Sequence, residues 1–203
     1  MTASAQSILY PTWKQRFSQL LLQRRVRITS FIFLVLLLED LITRVDPHSL
    51  ANFRDYHVRL GLGLVGSGIL LRSWAAGTLR KHIRLATTGP YSLVRHPLYI
   101  GSLLLMLGFC ALIDDAENIW FVLGPILMLY VFHAVQEEKN MAAAFPEQWP
   151  AYAASVPRFI PRKLPNELLT DWTLAQWLKN REYQSVVAVA IGLAAVQVWH
   201  AIL

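Results

Sequence analysis

The chain has little charge and almost no cysteine. Asp, Glu, Lys and Arg together make up 16% of its 203 residues, well under the quarter or so usual in soluble globular domains. A water-facing surface of normal extent is therefore excluded. Its one cysteine, Cys110, rules out an intrachain disulfide, and its place in an apolar run marks it as a small buried packing residue. Internal repeats and low-complexity tracts are missing as well. The formal charge of +6 does not point to nucleic acid, because the basic residues flank apolar stretches instead of massing on a polar element. What the chain has in abundance is apolar residues, 55% of the total. The length suits a single domain, 1–203.

Four apolar segments stand out: Val58 to Leu79, Pro97 to Ile113, Asn118 to Val135 and Ser185 to Leu203. Each has about the length a helix needs to cross some 30 Å of hydrocarbon. A fifth, Ile28 to Thr43, is interrupted by Glu39 and Asp40, which are tolerable near an interface or against other helices. A signal peptide would explain the first 45 residues otherwise, but no small-residue cleavage pattern follows the apolar run. The expected fold is all-α, a polytopic membrane protein of about five spanning helices.

Basic residues set the orientation. Lys14, Arg16, Arg24, Arg25 and Arg27 precede the first segment; Arg80, Lys81, Arg84 and Arg95 separate the second from the third. Lys139, Arg158, Arg162, Lys163, Lys179 and Arg181 lie between the fourth and fifth, whereas Asp114, Asp115 and Glu117 stand in a turn with no basic residue. The amino terminus is expected in the cytosol and the carboxyl terminus outside. Residues 1–27, with Trp13, Phe17, Leu20 and Leu21 at helical spacing among bases, fit a helix lying in the headgroup plane, and Asn166 to Arg181 fits the same pattern less cleanly.

Chemistry concentrates in three places. In Gly89-Pro90-Tyr91 through Arg95-His96-Pro97-Leu98-Tyr99-Ile100-Gly101, Gly-Pro marks a turn and Pro97 suits the first turn of a helix while biasing His96 toward extended backbone. Free amides at Leu98, Tyr99 and Ile100 would favour an anion such as a carboxylate; an ordinary loop before a proline-initiated helix is the other reading. Tyr130, His133, Glu137, Glu138 and Met141 form the second cluster, with Tyr130, His133 and Glu137 on one helix face. Its acids are either simply solvated or grip a cationic or hydroxyl-rich ligand. A metal site built from His133 and the two glutamates is not expected, because His82, His96 and His200 show no matching ligand spacing. Arg72, about 10 Å from the cytosolic end of its segment, needs a partner at that depth or must snorkel to the headgroups.

These residues resemble the isoprenylcysteine carboxyl methyltransferase family and its broader relatives, the membrane phospholipid methyltransferases. The matching text is Gly89-Pro90-Tyr91, Arg95-His96-Pro97-Leu98-Tyr99-Ile100-Gly101, Glu137-Glu138, Met141, Phe145, Trp149, Tyr152 and Val156-Pro157-Arg158, within Leu64 to Pro161. The resemblance implies S-adenosylmethionine bound at the cytosolic face by Tyr91, His96, Pro97, Leu98, Tyr99, Glu137 and Glu138, with Leu85 and Ala86 lining the pocket. It also implies a role for Arg72 toward a lipophilic, membrane-partitioned acceptor. The chain departs from the carboxyl methyltransferases at His133, where they carry a second substrate arginine. His133 is then either a proton acceptor for an amine or thiol nucleophile or an ordinary polar contact. A nicotinamide-dependent reductase of the sterol type shares a similar carboxyl-terminal half, but the chain has little room for the extra cofactor contacts. A scaffold that kept the fold without the activity is the non-enzymatic alternative, and His96, Tyr99 and Glu137 argue against it.

Overall fold

The computed structural model describes residues 31, 34–36, 38–80, 84–114, 116–162 and 171–202. The interfacial helix expected over residues 1–27 lies outside them. The chain divides into two compact units, Met1–Thr43 and Arg44–Leu203. In the first, the described residues up to Thr43 are helical, the Thr43 hydroxyl donates to the Glu39 carbonyl, and Phe31, Leu34, Leu38, Leu41 and Ile42 are exposed.

The second unit is all-helical among the described residues: α1 (Tyr56–Thr78), a short 3-10 turn (Gly89–Ser92), α2 (Pro97–Ile113), α3 (Ala116–Phe121), a π turn (Val122–Ile126), α4 (Leu127–Ala144), α5 (Trp149–Ser155), α6 (Leu174–Lys179) and α7 (Tyr183–Ile202). Among the described residues, three stretches are long and apolar enough to cross a membrane, α1, α7 and the continuous run Glu117–Ala144; α2 is a shorter apolar helix. Large apolar side chains stand exposed along them, among them Leu70, Trp120, Met128, Ile191 and Val198, as a lipid-facing surface requires and a water-facing one does not.

Pro125 sits inside the π turn. A proline removes one backbone donor and crowds the preceding turn, and the wider turn absorbs it without breaking the helix. The run of 28 residues is therefore about 42 Å long at 1.5 Å per residue, more than the hydrocarbon thickness. Its carboxyl-terminal turns, which carry Glu137 and Glu138, extend beyond the apolar stretch expected to end at Val135.

The α1–α2 hairpin is built on paired glycines. A Cβ on Gly61 would stand 2.9 Å from the Gly108 carbonyl oxygen, and one on Gly68 would stand 2.8 Å from that of Gly101. Both backbones can come this close only without side chains. Gly63 and Gly66 face open space, so these four glycines of α1 serve two different faces.

The carboxyl end of α1 leaves carbonyls that its own helix cannot satisfy, and the segment from Asp171 onward supplies the donors. Trp172 Nε1 bonds the Ser73 carbonyl at 3.1 Å, the Thr173 amide that of Gly77 at 3.0 Å, Gln176 Nε2 that of Leu79 at 2.7 Å, and Asn180 Nδ2 those of Ala76 and Leu79 at 2.7 and 2.8 Å. The Trp172 indole lies where a Cβ of Gly77 would be. The described part of the expected surface stretch Asn166 to Arg181 thus caps a helix. Residues 166–170 lie outside the described ones.

Candidate functional site

Helix α2 begins at Pro97, as the sequence indicates, with His96 as N-cap at φ −127° and ψ 58°. The expected trio of free amides is corrected by the geometry. Tyr99 N and Ile100 N both donate to the His96 carbonyl, at 3.2 and 3.3 Å, because the helix starts tightly enough for that oxygen to close two rings. The chain before the helix is held from the other side: Arg95 N bonds the Pro157 carbonyl at 2.9 Å and His96 N that of Arg158 at 3.2 Å. This short pairing joins Val156-Pro157-Arg158 to the His-Pro motif.

Glu138, on the inner face of α4, ties the assembly together. It meets Arg95 Nη1 at 3.1 Å, His96 Nε2 at 3.2 Å, and Arg158 through Nε at 3.0 Å and Nη2 at 2.9 Å. Both carboxylate oxygens are occupied. Burial pulls the His96 imidazole below its ordinary range, outweighing the Glu138 hydrogen bond that would raise it, so the ring is neutral near pH 7. Arg95 also lies over the Trp149 ring at 5.8 Å, within cation–π range.

Glu137 points elsewhere. Its Oε2 accepts from the Tyr99 hydroxyl at 3.0 Å, and the Tyr99 ring packs between His96 and Tyr130, with centroids at 5.4 and 5.1 Å. His133, one turn before Glu137 on α4, is fully buried.

The 3-10 turn holds Tyr91. Gly89 takes φ +58°, a conformation glycine adopts without strain, and the Tyr152 hydroxyl donates to the Tyr91 carbonyl at 2.8 Å. Leu85 packs with Tyr152 and Val156, flanked by Met141, Phe145 and Trp149; Ala86 beside it is half-buried. Tyr91 is 7% exposed, and its hydroxyl has no hydrogen-bond partner among the described residues. Burial first, then the charges of Glu137, Tyr152 and Glu182, push the phenol well above its usual range, against a smaller opposing effect of Arg72. It stays protonated, a buried donor facing charged groups.

Arg72 has a partner that its own sequence neighbourhood does not reveal. Its Nε and Nη2 fork onto Glu182 at 2.8 and 3.0 Å, Nη2 also reaches Ser185 Oγ at 2.9 Å, and Nη1 bonds Ser102 Oγ. Glu182 is 5% exposed. The depth of Arg72 is thus accommodated by pairing, and four of its five donors are taken.

Tyr91, His96, Tyr99, Glu137 and Glu138 therefore gather where the 3-10 turn, the start of α2 and the end of α4 meet, with Leu85 in the adjoining apolar cluster. Pro97 is buried at the helix start and Leu98 half-buried beside it. Residues 56–148 match the family model described as phospholipid methyltransferase. The chain is 34% identical over 119 residues to the cobalt-zinc-cadmium resistance protein CzcN of Cupriavidus metallidurans, covering 57% of this chain and 55% of that protein. It is 32% identical over 93 residues to the nickel-cobalt-cadmium resistance protein NccN of Alcaligenes xylosoxydans xylosoxydans, covering 45% of this chain and 43% of that protein. The chain spans about half the length of these curated relatives. No solved structure matches it. Over residues 56–148, the chain thus resembles the phospholipid methyltransferases, a family of the isoprenylcysteine carboxyl methyltransferase-like group.

Proposed function

We propose that the chain is a membrane methyltransferase that takes S-adenosylmethionine from the cytosol and methylates a lipophilic or membrane-partitioned acceptor. The observation that carries this reading is the pairing of a half-buried carboxylate, Glu137, with a buried phenol lacking a partner, Tyr91, at the end of apolar helices. The residues fit the cofactor: the Glu137 carboxylate suits an ammonium or ribose hydroxyls, and Tyr91 offers a neutral O–H donor to a carboxylate. Bound there, S-adenosylmethionine supplies a methyl group on a positively charged sulfur. Tyr99 holds Glu137 in place, and the Leu85 cluster excludes water on one side. Glu138, with both oxygens occupied, positions Arg95, His96 and Arg158 in this reading. In this reading Arg72 and His133 are assigned to the acceptor side, Arg72 held by Glu182 and His133 as the group that takes a proton from an amine or thiol acceptor.

Calorimetry on the detergent-purified protein tests the site. S-adenosylhomocysteine is expected to bind and reduced nicotinamide dinucleotide phosphate is not. Glu137→Ala and Tyr99→Phe should each weaken S-adenosylhomocysteine about ten- to a hundredfold, the loss of one charged hydrogen bond, at unchanged melting temperature. Unchanged affinity in both variants removes the site.

The orientation has its own test. With the cofactor site in the cytosol, cysteines introduced singly at Ser92 and Asp115 should label from opposite sides of the membrane, and Cys110, 2% exposed, should stay silent. Labelling of both from one side contradicts the topology.

A further inference from the structure

The other end of the α1–α2 hairpin, about 35 Å away along α1 by helical rise, holds a second polar cluster. His48 lies in the segment before α1, Asp55 is the N-cap of α1, His57 stands in its first turn and Asp114 closes α2. The Asp55 carboxylate faces both imidazoles at Nδ1, with Oδ2 2.9 Å from His48 and Oδ1 3.4 Å from His57. The two rings stack with centroids 4.9 Å apart and planes 10° from parallel. An imidazole that donates from Nδ1 to a carboxylate keeps its lone pair at Nε2, the arrangement by which carboxylates orient histidine ligands. His48 Nε2 is buried without a hydrogen-bond partner, and Asp114 Oδ1 stands 3.5 Å from it.

The backbone fixes this juxtaposition. His48 N bonds the Leu112 carbonyl at 2.9 Å, docking the segment on the end of α2. Asp114 adopts φ +65°, a left-handed conformation in which aspartate is enriched among residues other than glycine. One donor atom from each of His48, His57 and Asp114 lies within 4.8 Å of the others. Three ligands on a tetrahedral ion with bonds of about 2.0 to 2.2 Å sit roughly 3.4 Å apart, so the cluster must close by about an ångström or more. The side chains of His57 and Asp114, 51% and 56% exposed, are free to supply that movement.

We propose that His48, His57 and Asp114 form a binding site for a borderline divalent transition ion of the Zn2+ type, with Asp55 as the orienting carboxylate. Two imidazoles and one carboxylate suit Zn2+, Co2+ or Ni2+ better than Mg2+ or Ca2+, which take oxygen ligands. Three protein ligands leave a coordination position for water or an external ligand.

Untagged full-length protein in detergent, titrated with Zn2+ by calorimetry and with Co2+ by visible absorption, tests the site. Wild-type protein should bind one equivalent, with Co2+ showing the bands of a low-coordinate nitrogen and oxygen site that Zn2+ displaces. His57→Ala and Asp114→Asn should each weaken Zn2+ tenfold or more; both positions are exposed, and asparagine tolerates the left-handed backbone. Asp55→Asn should weaken it about ten- to a hundredfold without removing a ligand. Binding of S-adenosylhomocysteine, unchanged in these variants, reports that the fold is intact and keeps this outcome separate from that of the cofactor site. Absence of stoichiometric Zn2+ binding in the wild type overturns the proposal, as does unchanged affinity in the His57→Ala, Asp114→Asn double variant.

Discussion

Glu138→Ala should lower the unfolding free energy by about 3 kcal/mol or more, the cost of breaking a buried ion pair by removing one partner. The reason is what it leaves behind. The Arg95 side chain is 13% exposed and would keep, among the described residues, the Trp149 ring, while His96 would lose the acceptor for Nε2. Arg158 is 48% exposed and can return to water, so it adds little. Glu138→Gln keeps one acceptor oxygen and should fall between the two. Thermal unfolding in detergent together with S-adenosylhomocysteine titration separates Glu138 from its neighbour: Glu137 variants should lose affinity at constant stability, and Glu138 variants stability first. Wild-type melting of Glu138→Ala with weakened cofactor binding would instead assign Glu138 to the ligand.

Much of this site could be read in the sequence, for identifiable reasons. Pro97 starts α2 because a fixed φ and a missing donor suit a first helical turn, and Tyr130, His133 and Glu137 share a face because spacings of three and four always do on a helix. The end of the long helix was less legible. Hydropathy stops at Val135, but the hydrogen-bonded ladder continues to Ala144, since a helix leaving the apolar layer needs only periodicity and packing to persist. The caps on α1 were not legible at all. Gln176 and Asn180 reach carbonyls 97 and 104 positions away, and nothing local in an amide side chain announces that. His48 and Asp114 are likewise distant in sequence, and no motif spacing joins them.

Glu182 is the partner of Arg72 that sequence reasoning missed. The need for a partner to Arg72 could be stated from its depth, but the carboxylate lies 110 positions along the chain, just before the last apolar run, where an acid reads as ordinary flanking polarity. Its position ties α7 to the α1–α2 hairpin at the edge of the candidate site, so one ion pair joins membrane packing to the proposed acceptor side.

That double involvement gives Arg72 and Glu182 the second large expected effect. Glu182→Leu should cost about 3 kcal/mol, in the range for an unpaired charge held within a membrane helix. Arg72→Lys keeps the charge but cannot fork onto both carboxylate oxygens, and should cost less. The paired variant Arg72→Leu with Glu182→Leu should recover most of the loss, because replacing a buried pair by apolar side chains is often neutral; unfolding of the four proteins closes a double-mutant cycle. Turnover then separates structure from chemistry. If Arg72 serves only to seat α7, the stable double variant should methylate as well as the wild type. If Arg72 also orients the acceptor, that variant should bind S-adenosylhomocysteine normally yet turn over poorly, and Arg72→Lys should be slowed while Glu182→Gln is slowed less. Full turnover in the double variant would remove Arg72 from the acceptor site and leave His133 as the remaining candidate, with His133→Arg to decide whether a proton must be taken, since an arginine stays charged and cannot take one.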